Sequence, residues 1–108
     1  MGTVQVCFVL ADGQMRQVRA ALGRTLMQVA VDHQIEGIRA ECGGQCSCAT
    51  CHCYVDDAWV HRVPTKQDRE TDMIDFVWEP KSNSRLACQV EITAAMEGLT
   101  VHVPAQQI

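Results

Sequence analysis

Glu41-Cys42-Gly43-Gly44-Gln45-Cys46-Ser47-Cys48-Ala49-Thr50-Cys51-His52-Cys53 gathers five of the chain's seven cysteines into thirteen residues. Between the thiols stand almost only Gly, Ser, Ala and Thr. Residues this small let a backbone wrap closely around an object, and glycine adds the positive φ values that tight turns need. Thiolates would bond to that object, and amide N–H groups left over from the turns would point at it. A soft, negatively charged inorganic core fits such a wrapping better than an organic substrate does. The rest of the 108-residue chain reads as a scaffold for this loop.

Spacing narrows the choice of core. Five residues separate Cys42 from Cys48, two separate Cys48 from Cys51, and thirty-six separate Cys51 from Cys88. Three cysteines in one loop closed by a distant fourth is the general form of a [2Fe-2S] site, in which two tetrahedral irons take four thiolates. The plant-type pattern has about four residues in the first gap; five there resembles the adrenodoxin and putidaredoxin type of [2Fe-2S] ferredoxin. Cys-Ala-Thr-Cys-His at 48–52, Asp-Met-Ile-Asp at 72–75, Ser-Arg-Leu-Ala-Cys-Gln at 84–89 and Thr-Val-His-Val-Pro at 100–104 resemble the same family, so the likeness covers essentially the whole chain. It implies one [2Fe-2S] cluster held by Cys42, Cys48, Cys51 and Cys88. It also implies an α+β, β-grasp (ubiquitin-like) fold: a mixed sheet, a crossing helix and a second, acidic helix. By proximity alone Cys46 and Cys53 are alternative ligands, through Cys46-x-Cys48 and Cys51-x-Cys53. Main-chain N–H groups of Gly43, Gly44, Ser47, Ala49 and Thr50 would approach the cluster sulfurs and offset the charge added on reduction.

Length supports a single domain, 1–108, with one modest core, and no repeat or low-complexity stretch divides it. Met-Gly-Thr-Val-Gln-Val at the start has no basic segment ahead of its apolar run, and Val6 stands where a myristoylation signal needs Ser or Thr. No apolar run reaches membrane-spanning length. The expectation is a soluble, cytoplasmic, bacterial monomer with neither membrane nor nucleic acid as partner. An odd number of clustered cysteines, without a secretion signal, points to metal ligation rather than a disulfide framework. The formal charge is −4. An oxidised cluster with its four thiolates adds about −2, and the sum favours basic protein surfaces as partners.

Taken in order, Val4, Val6, Phe8 and Leu10 alternate along a predicted strand over 3–10. Asp12-Gly13 predicts a two-residue hairpin, and 14–20 the return strand. Cys7 falls on the opposite face and reads as a small hydrophobe. Thr25-Leu-Met-Gln28 predicts a capping box, opening a helix that buries Leu26, Val29 and Ala30 and breaks up by Gly37. His33 at its C-terminal end suits the macrodipole as a surface residue.

After the loop, 52–55 reads as a short strand. His52 beside Cys51 has the look of half a metal pair, but His33, His61 and His102 stand alone, so a satisfied buried imidazole is the plainer reading. The resemblance implies that His52 is a structural bridge under the loop. Pro64-Thr65 predicts a second helix, with Thr65 as N-cap and Met73, Ile74, Phe76 and Val77 as its buried stripe. Asp68, Asp72 and Asp75 line an exposed face, with Glu70 and Glu79 close by and Lys66 and Arg69 interrupting. Composition alone makes this a solvated face; the resemblance implies a docking surface centred on Asp72 and Asp75, with Asp68 beside them, and leans toward Glu41 as a docking charge. Cys88, Val90 and Ile92 share one face of a predicted strand that aims the fourth ligand inward. Arg85 is read as a structural cation paired with the acidic helix. Leu99, Val101 and Val103 form a last alternating strand stopped by Pro104. Ile108 stands where the putidaredoxin branch has a terminal aromatic used in partner recognition, in a tail that otherwise reads as a fraying end.

No nucleophile or general base is evident, and the expectation is an electron carrier rather than an enzyme. The resemblance implies a FAD-containing, NAD(P)H-dependent ferredoxin reductase as donor and a cytochrome P450 monooxygenase as acceptor. Iron–sulfur cluster assembly, served by close relatives, is the alternative acceptor; Cys-Gly-Gly after an acidic residue and the short Pro-x-x-Gln-x tail favour the P450. A structural zinc module is the reading from another class, but zinc usually draws on two close ligand pairs and Cys88 has no neighbouring ligand.

Overall fold

Val4, Val6 and Phe8 are buried in alternation along β1 (Thr3–Val9) of the computed structural model, which describes residues 2–35, 38 and 51–105. β1 pairs antiparallel with β2 (Met15–Ala21), Val6 opposite Val18 and Val9 opposite Met15. The connecting turn is one residue longer than Asp12-Gly13 predicts. Leu10 N donates to Gln14 O at 2.7 Å and Gly13 N to Leu10 O at 2.9 Å, leaving a loop of Ala11, Asp12 and Gly13 with Gly13 at φ +91°. A tight turn followed by a left-handed glycine is the usual three-residue hairpin, and the Asp12 carboxylate reinforces it by accepting Gln14 N–H.

Thr25 closes the predicted capping box at the start of α1 (Leu26–Asp32): its Oγ1 accepts Gln28 N–H at 3.1 Å while Thr25 N–H reaches Gln28 Oε1 at 3.0 Å. Seven residues are too few to stay helical in water unaided. Burial of Leu26, Met27, Val29 and Ala30 against the sheet holds the helix in place, at about 1.5–3 kcal/mol for each large apolar side chain. His33 ends it as C-cap, half-buried, with Nδ1 3.0 Å from Val29 O.

The centre of the sheet joins the two ends of the described chain. β5 (Leu99–His102) runs parallel to β1, Val6 opposite Leu99, and antiparallel to β3 (His52–Val55), Tyr54 opposite His102. β4 (Ser84–Leu86) pairs antiparallel with β3, His52 opposite Leu86, giving the order β2-β1-β5-β3-β4. This mixed sheet with its helices is the β-grasp architecture expected from the sequence. Phe8, Leu26, Leu86, Ile92, Met96 and Leu99 are fully buried beneath it.

The region around the second helix departs from expectation in three ways. α2 (Asp68–Ile74) starts later than Pro64-Thr65 predicts, with Gln67 rather than Thr65 at the N-cap and no side-chain bond there. Its buried line is Glu70, Ile74 and Val77, spaced i, i+4, i+7, whereas Phe76 is 70% exposed and Met73 only partly buried. The helix is thus rotated from the phase that apolar residues alone suggest, because a carboxylate occupies a core position. Finally, Cys88 lies on a single 3-10 turn, Ala87–Gln89, and not on a strand. Burial of Cys88, Val90 and Ile92 still alternates with exposure of Gln89 and Glu91, since the chain returns to extended geometry at Val90. Among the described residues no helix is long and apolar enough to cross a membrane.

Candidate metal centre

Strand pairing closes the long gap between two of the predicted ligands. Cys51 immediately precedes β3, and the ladder that sets His52 opposite Leu86 continues one step, Ala87 N donating to Cys51 O at 2.9 Å. The 3-10 turn at Ala87–Gln89 then brings the Cys88 thiol into hydrogen-bond contact with that of Cys51. Both cysteines are buried, Cys51 at 1% exposure and Cys88 at 6%. The contact with Cys88, with burial behind it, pushes the Cys51 thiol far above its ordinary range. A thiol kept protonated in an apolar pocket, with a second buried sulfur against it, is a poor place for bare thiolate, but a multiply charged cation would displace the proton and neutralise the charge left behind. That chemistry fits an iron–sulfur cluster.

Cys42 and Cys48, the other two predicted ligands, lie outside the described residues, as do Glu41, Gly43, Gly44, Cys46, Ser47, Ala49, Thr50 and Ile108. Among the described residues no three His, Cys, Asp or Glu side chains converge as metal ligands. Cys53 belongs to the apolar core beside Val55 and Ile74, and burial pushes its thiol up to about 12.

His52 is fully buried, its Nε2 2.9 Å from Ser84 Oγ and its ring edge-on to Tyr54 at 4.6 Å. Burial, and then the charge of Lys81, pull its pKa down to about 4, so the imidazole is neutral near pH 7. The Ser84 hydroxyl also accepts Lys81 N–H at 2.9 Å, so this contact ties β3 to the turn leading into β4.

Arg85 and Glu70 form a second tie. Arg85 Nε donates to Glu70 Oε2 at 2.6 Å and Nη2 to Oε1 at 3.0 Å, a two-pronged contact between side chains only 6% and 2% exposed. Leu86 N–H adds a bond to Oε2 at 2.8 Å, and Arg85 Nη1 donates to Pro64 O. The pair therefore fastens α2 to the strand that ends just before Cys88. By sequence alone Glu70 stands with the surface acids. The signal that could have found it is its i, i+4, i+7 relation to Ile74 and Val77, with an arginine available on the following strand.

Asp68, Asp72 and Asp75 are exposed on α2 and at its C-cap. A further contact went unread in the sequence: Gln89 Nε2 lies 3.5 Å from Cys88 Sγ as a donor. A donor aimed at a ligand sulfur is one of the protein's means of tuning a cluster.

Comparison with known proteins places this geometry. Residues 9–93 match the family model described as the 2Fe-2S iron-sulfur cluster binding domain. Putidaredoxin from Pseudomonas putida is 44% identical over 104 residues, which are 95% of this chain and 97% of that one. The crystal structure of a reduced variant of that protein superposes with a TM-score of 0.93, covering 96% of this chain and 99% of that chain. The covalent putidaredoxin reductase–putidaredoxin complex matches with a TM-score of 0.89 at 44% identity, over 93% of this chain and 97% of that chain. The ISC-like [2Fe-2S] ferredoxin of Pseudomonas putida stands further off, with a TM-score of 0.81 and 31% identity over 97% of this chain and 95% of that chain. With two of the expected cysteine ligands drawn together by the β3–β4 ladder, and with these likenesses over nearly its whole length, the chain belongs to the putidaredoxin-type [2Fe-2S] ferredoxins, electron carriers that hold one [2Fe-2S] cluster.

Proposed function

We propose that this chain, a single-domain cytoplasmic monomer of a bacterium, carries electrons one at a time from a FAD-containing, NAD(P)H-dependent ferredoxin reductase to a cytochrome P450 monooxygenase. The observation that carries this reading is the match, at 44% identity and nearly full length, to a protein solved in covalent complex with its reductase. Likeness to the ISC-like ferredoxin is lower, at 31% identity, which supports the P450 over cluster assembly as the acceptor.

When bound, the cluster takes up and returns a single electron. Cys42, Cys48, Cys51 and Cys88 would hold it, with Gly43, Gly44, Ser47, Ala49 and Thr50 supplying main-chain N–H groups. Gln89 adds a donor toward Cys88, and His52 and Arg85 brace the strands carrying the two described ligands. Asp68, Asp72 and Asp75, with Glu41 and Ile108, would form the docking surface. Three carboxylates on one helix repel one another by a few tenths of a kcal/mol per pair, so they give the isolated domain nothing. Against a basic partner they speed encounter and keep the complex short-lived, as a shuttle requires.

The test of the donor side is the pair Asp72→Asn and Asp75→Asn, expected to weaken turnover with a flavoprotein reductase and to flatten its salt dependence. Unchanged kinetics at low ionic strength would rule out this face. For the acceptor side, oxidation of the reduced protein is measured with a P450 and with the cluster-assembly scaffold. Turnover with the scaffold alone would refute the P450 assignment.

A further inference from the structure

We propose that Phe76 is the apolar anchor of the docking surface, seated in a hydrophobic socket that the reductase rings with Lys or Arg. The proposal deepens the reductase reading above and rests on it. Phe76 is 70% exposed and is the only aromatic among the exposed large hydrophobic residues described. Its position follows from the helix that precedes it. Phe76 N donates to Met73 O at 3.0 Å and Val77 N to Ile74 O at 3.2 Å, so the chain tightens into a 3-10-type turn past the end of α2. Asp72 stands four residues before Phe76 and Asp68 one helical turn further back, both exposed, and the exposed Asp75 is the neighbour of Phe76 in the chain.

The exposure is fixed by the rest of the fold. Glu70, Ile74 and Val77 occupy the inward face, and the Glu70–Arg85 bonds set the helix rotation. Phe76 cannot turn inward without expelling that buried pair. The other exposed apolar residues, Met15, Leu22 and Val31, stand on or beside β2 and α1 and carry no acidic ridge. A phenyl ring exposed just past a helix that presents three carboxylates has the composition of an interface centre with a charged rim, where one aromatic supplies most of the binding energy and the rim supplies steering. The matching partner surface is a hydrophobic pocket edged by cations.

The two parts of such a surface leave different kinetic signatures. Rim charges govern the association rate and its dependence on salt, whereas a buried anchor governs dissociation at every ionic strength. The test uses the full-length holoprotein, reduced anaerobically by putidaredoxin reductase and followed at the visible band of the cluster. Phe76→Ala is expected to lower kcat/KM about tenfold, with the slope against ionic strength equal to that of the parent. Asp72→Asn with Asp75→Asn is expected to change that slope. Phe76→Tyr should stay within about threefold of the parent, since it keeps the ring. Phe76→Gln repeats the measurement with a polar side chain and should match Phe76→Ala. The visible spectrum and direct reduction by dithionite should be the same in all of them.

Phe76→Ala and Phe76→Gln within about twofold of the parent would overturn the anchor while leaving the reductase reading intact if the Asp variants still respond to salt. A parent protein that the flavoprotein cannot reduce would overturn the reductase reading and the anchor together. A concentration-dependent dimer of the parent that Phe76→Ala dissolves would reassign the ring to self-association and refute the proposal.

Discussion

Replacing Glu70 with leucine tests the contact that sets the rotation of α2. Glu70 and Arg85 are 2% and 6% exposed, so both charges are out of water and each depends on the other. Removing one partner of such a pair costs about 3–5 kcal/mol, because the remaining ion stays buried without compensation. Leu86 N–H loses its acceptor at the same time, at a cost of about 1–3 kcal/mol. The new leucine returns about 1.5–3 kcal/mol by filling an apolar position. The expected net loss is about 3 kcal/mol, a large share of the 5–15 kcal/mol that holds a typical domain together. At about 4–8 °C per kcal/mol for a chain of this size, the midpoint falls by roughly 15 °C. Arg85→Met should cost a similar amount. The double variant should cost no more than either single one, which makes the coupling about 3 kcal/mol. The assay is thermal unfolding of the holoprotein at one fixed scan rate, followed by far-ultraviolet circular dichroism and by the visible band. Single losses below about 1 kcal/mol, or effects that add within about 0.5 kcal/mol, would refute the argument that this pair positions the helix.

Three further outcomes are expected. Cys88→Ser should lose the visible spectrum, whereas Cys53→Ala should keep it and cost about 1 kcal/mol for the small void left in the core; the opposite pattern of colour would reverse the ligand assignment. Gln89→Ala removes a donor that favours the more negative reduced state, so the midpoint potential should fall. A weak bond of about 0.5 kcal/mol corresponds to about 20 mV for one electron, and redox titration giving an unchanged or higher value would contradict this role. The Asp56 carboxyl is held below its ordinary 3.8, first by the bond to His102 and then by Ala58 N–H. A carboxyl lowered in the folded state stabilises it above the ordinary value and ceases to do so as pH falls through the lower folded one. Urea midpoints of the parent should therefore decline more steeply than those of Asp56→Asn as pH is lowered beneath about 4; parallel curves would exclude the contribution.

Local signals served well where one chemistry acted alone. The alternation of Val4, Val6 and Phe8, the Thr25–Gln28 box and the Leu99–Val103 alternation each depend on neighbours in sequence, and each element stands where those neighbours put it. The ligand spacing carried the cofactor for the same reason: thiolate chemistry tolerates few substitutes. Errors arose where a distant partner reversed a residue's usual preference. Glu70 is a carboxylate inside the core because Arg85 reaches it from β4, whereas ranking by hydrophobicity turns Phe76 inward. Cys88 kept the inward direction expected of it but on a 3-10 turn, since three residues of alternating burial do not distinguish a strand from a turn followed by extended chain.

The parallel pairing of β1 with β5 has a consequence for how the molecule is made. Val6 lies opposite Leu99, so the middle of the sheet waits for a segment that leaves the ribosome long after the first hairpin has done so. Until then the β2–β1 ribbon and the β3–β4 pair are separate fragments, each with open edges able to recruit other chains. Cys51 and Cys88 both belong to the second fragment. Iron delivered during synthesis would therefore meet half a sheet, and shortening the chain back past β5 should abolish the whole assembly at once rather than loosen one margin.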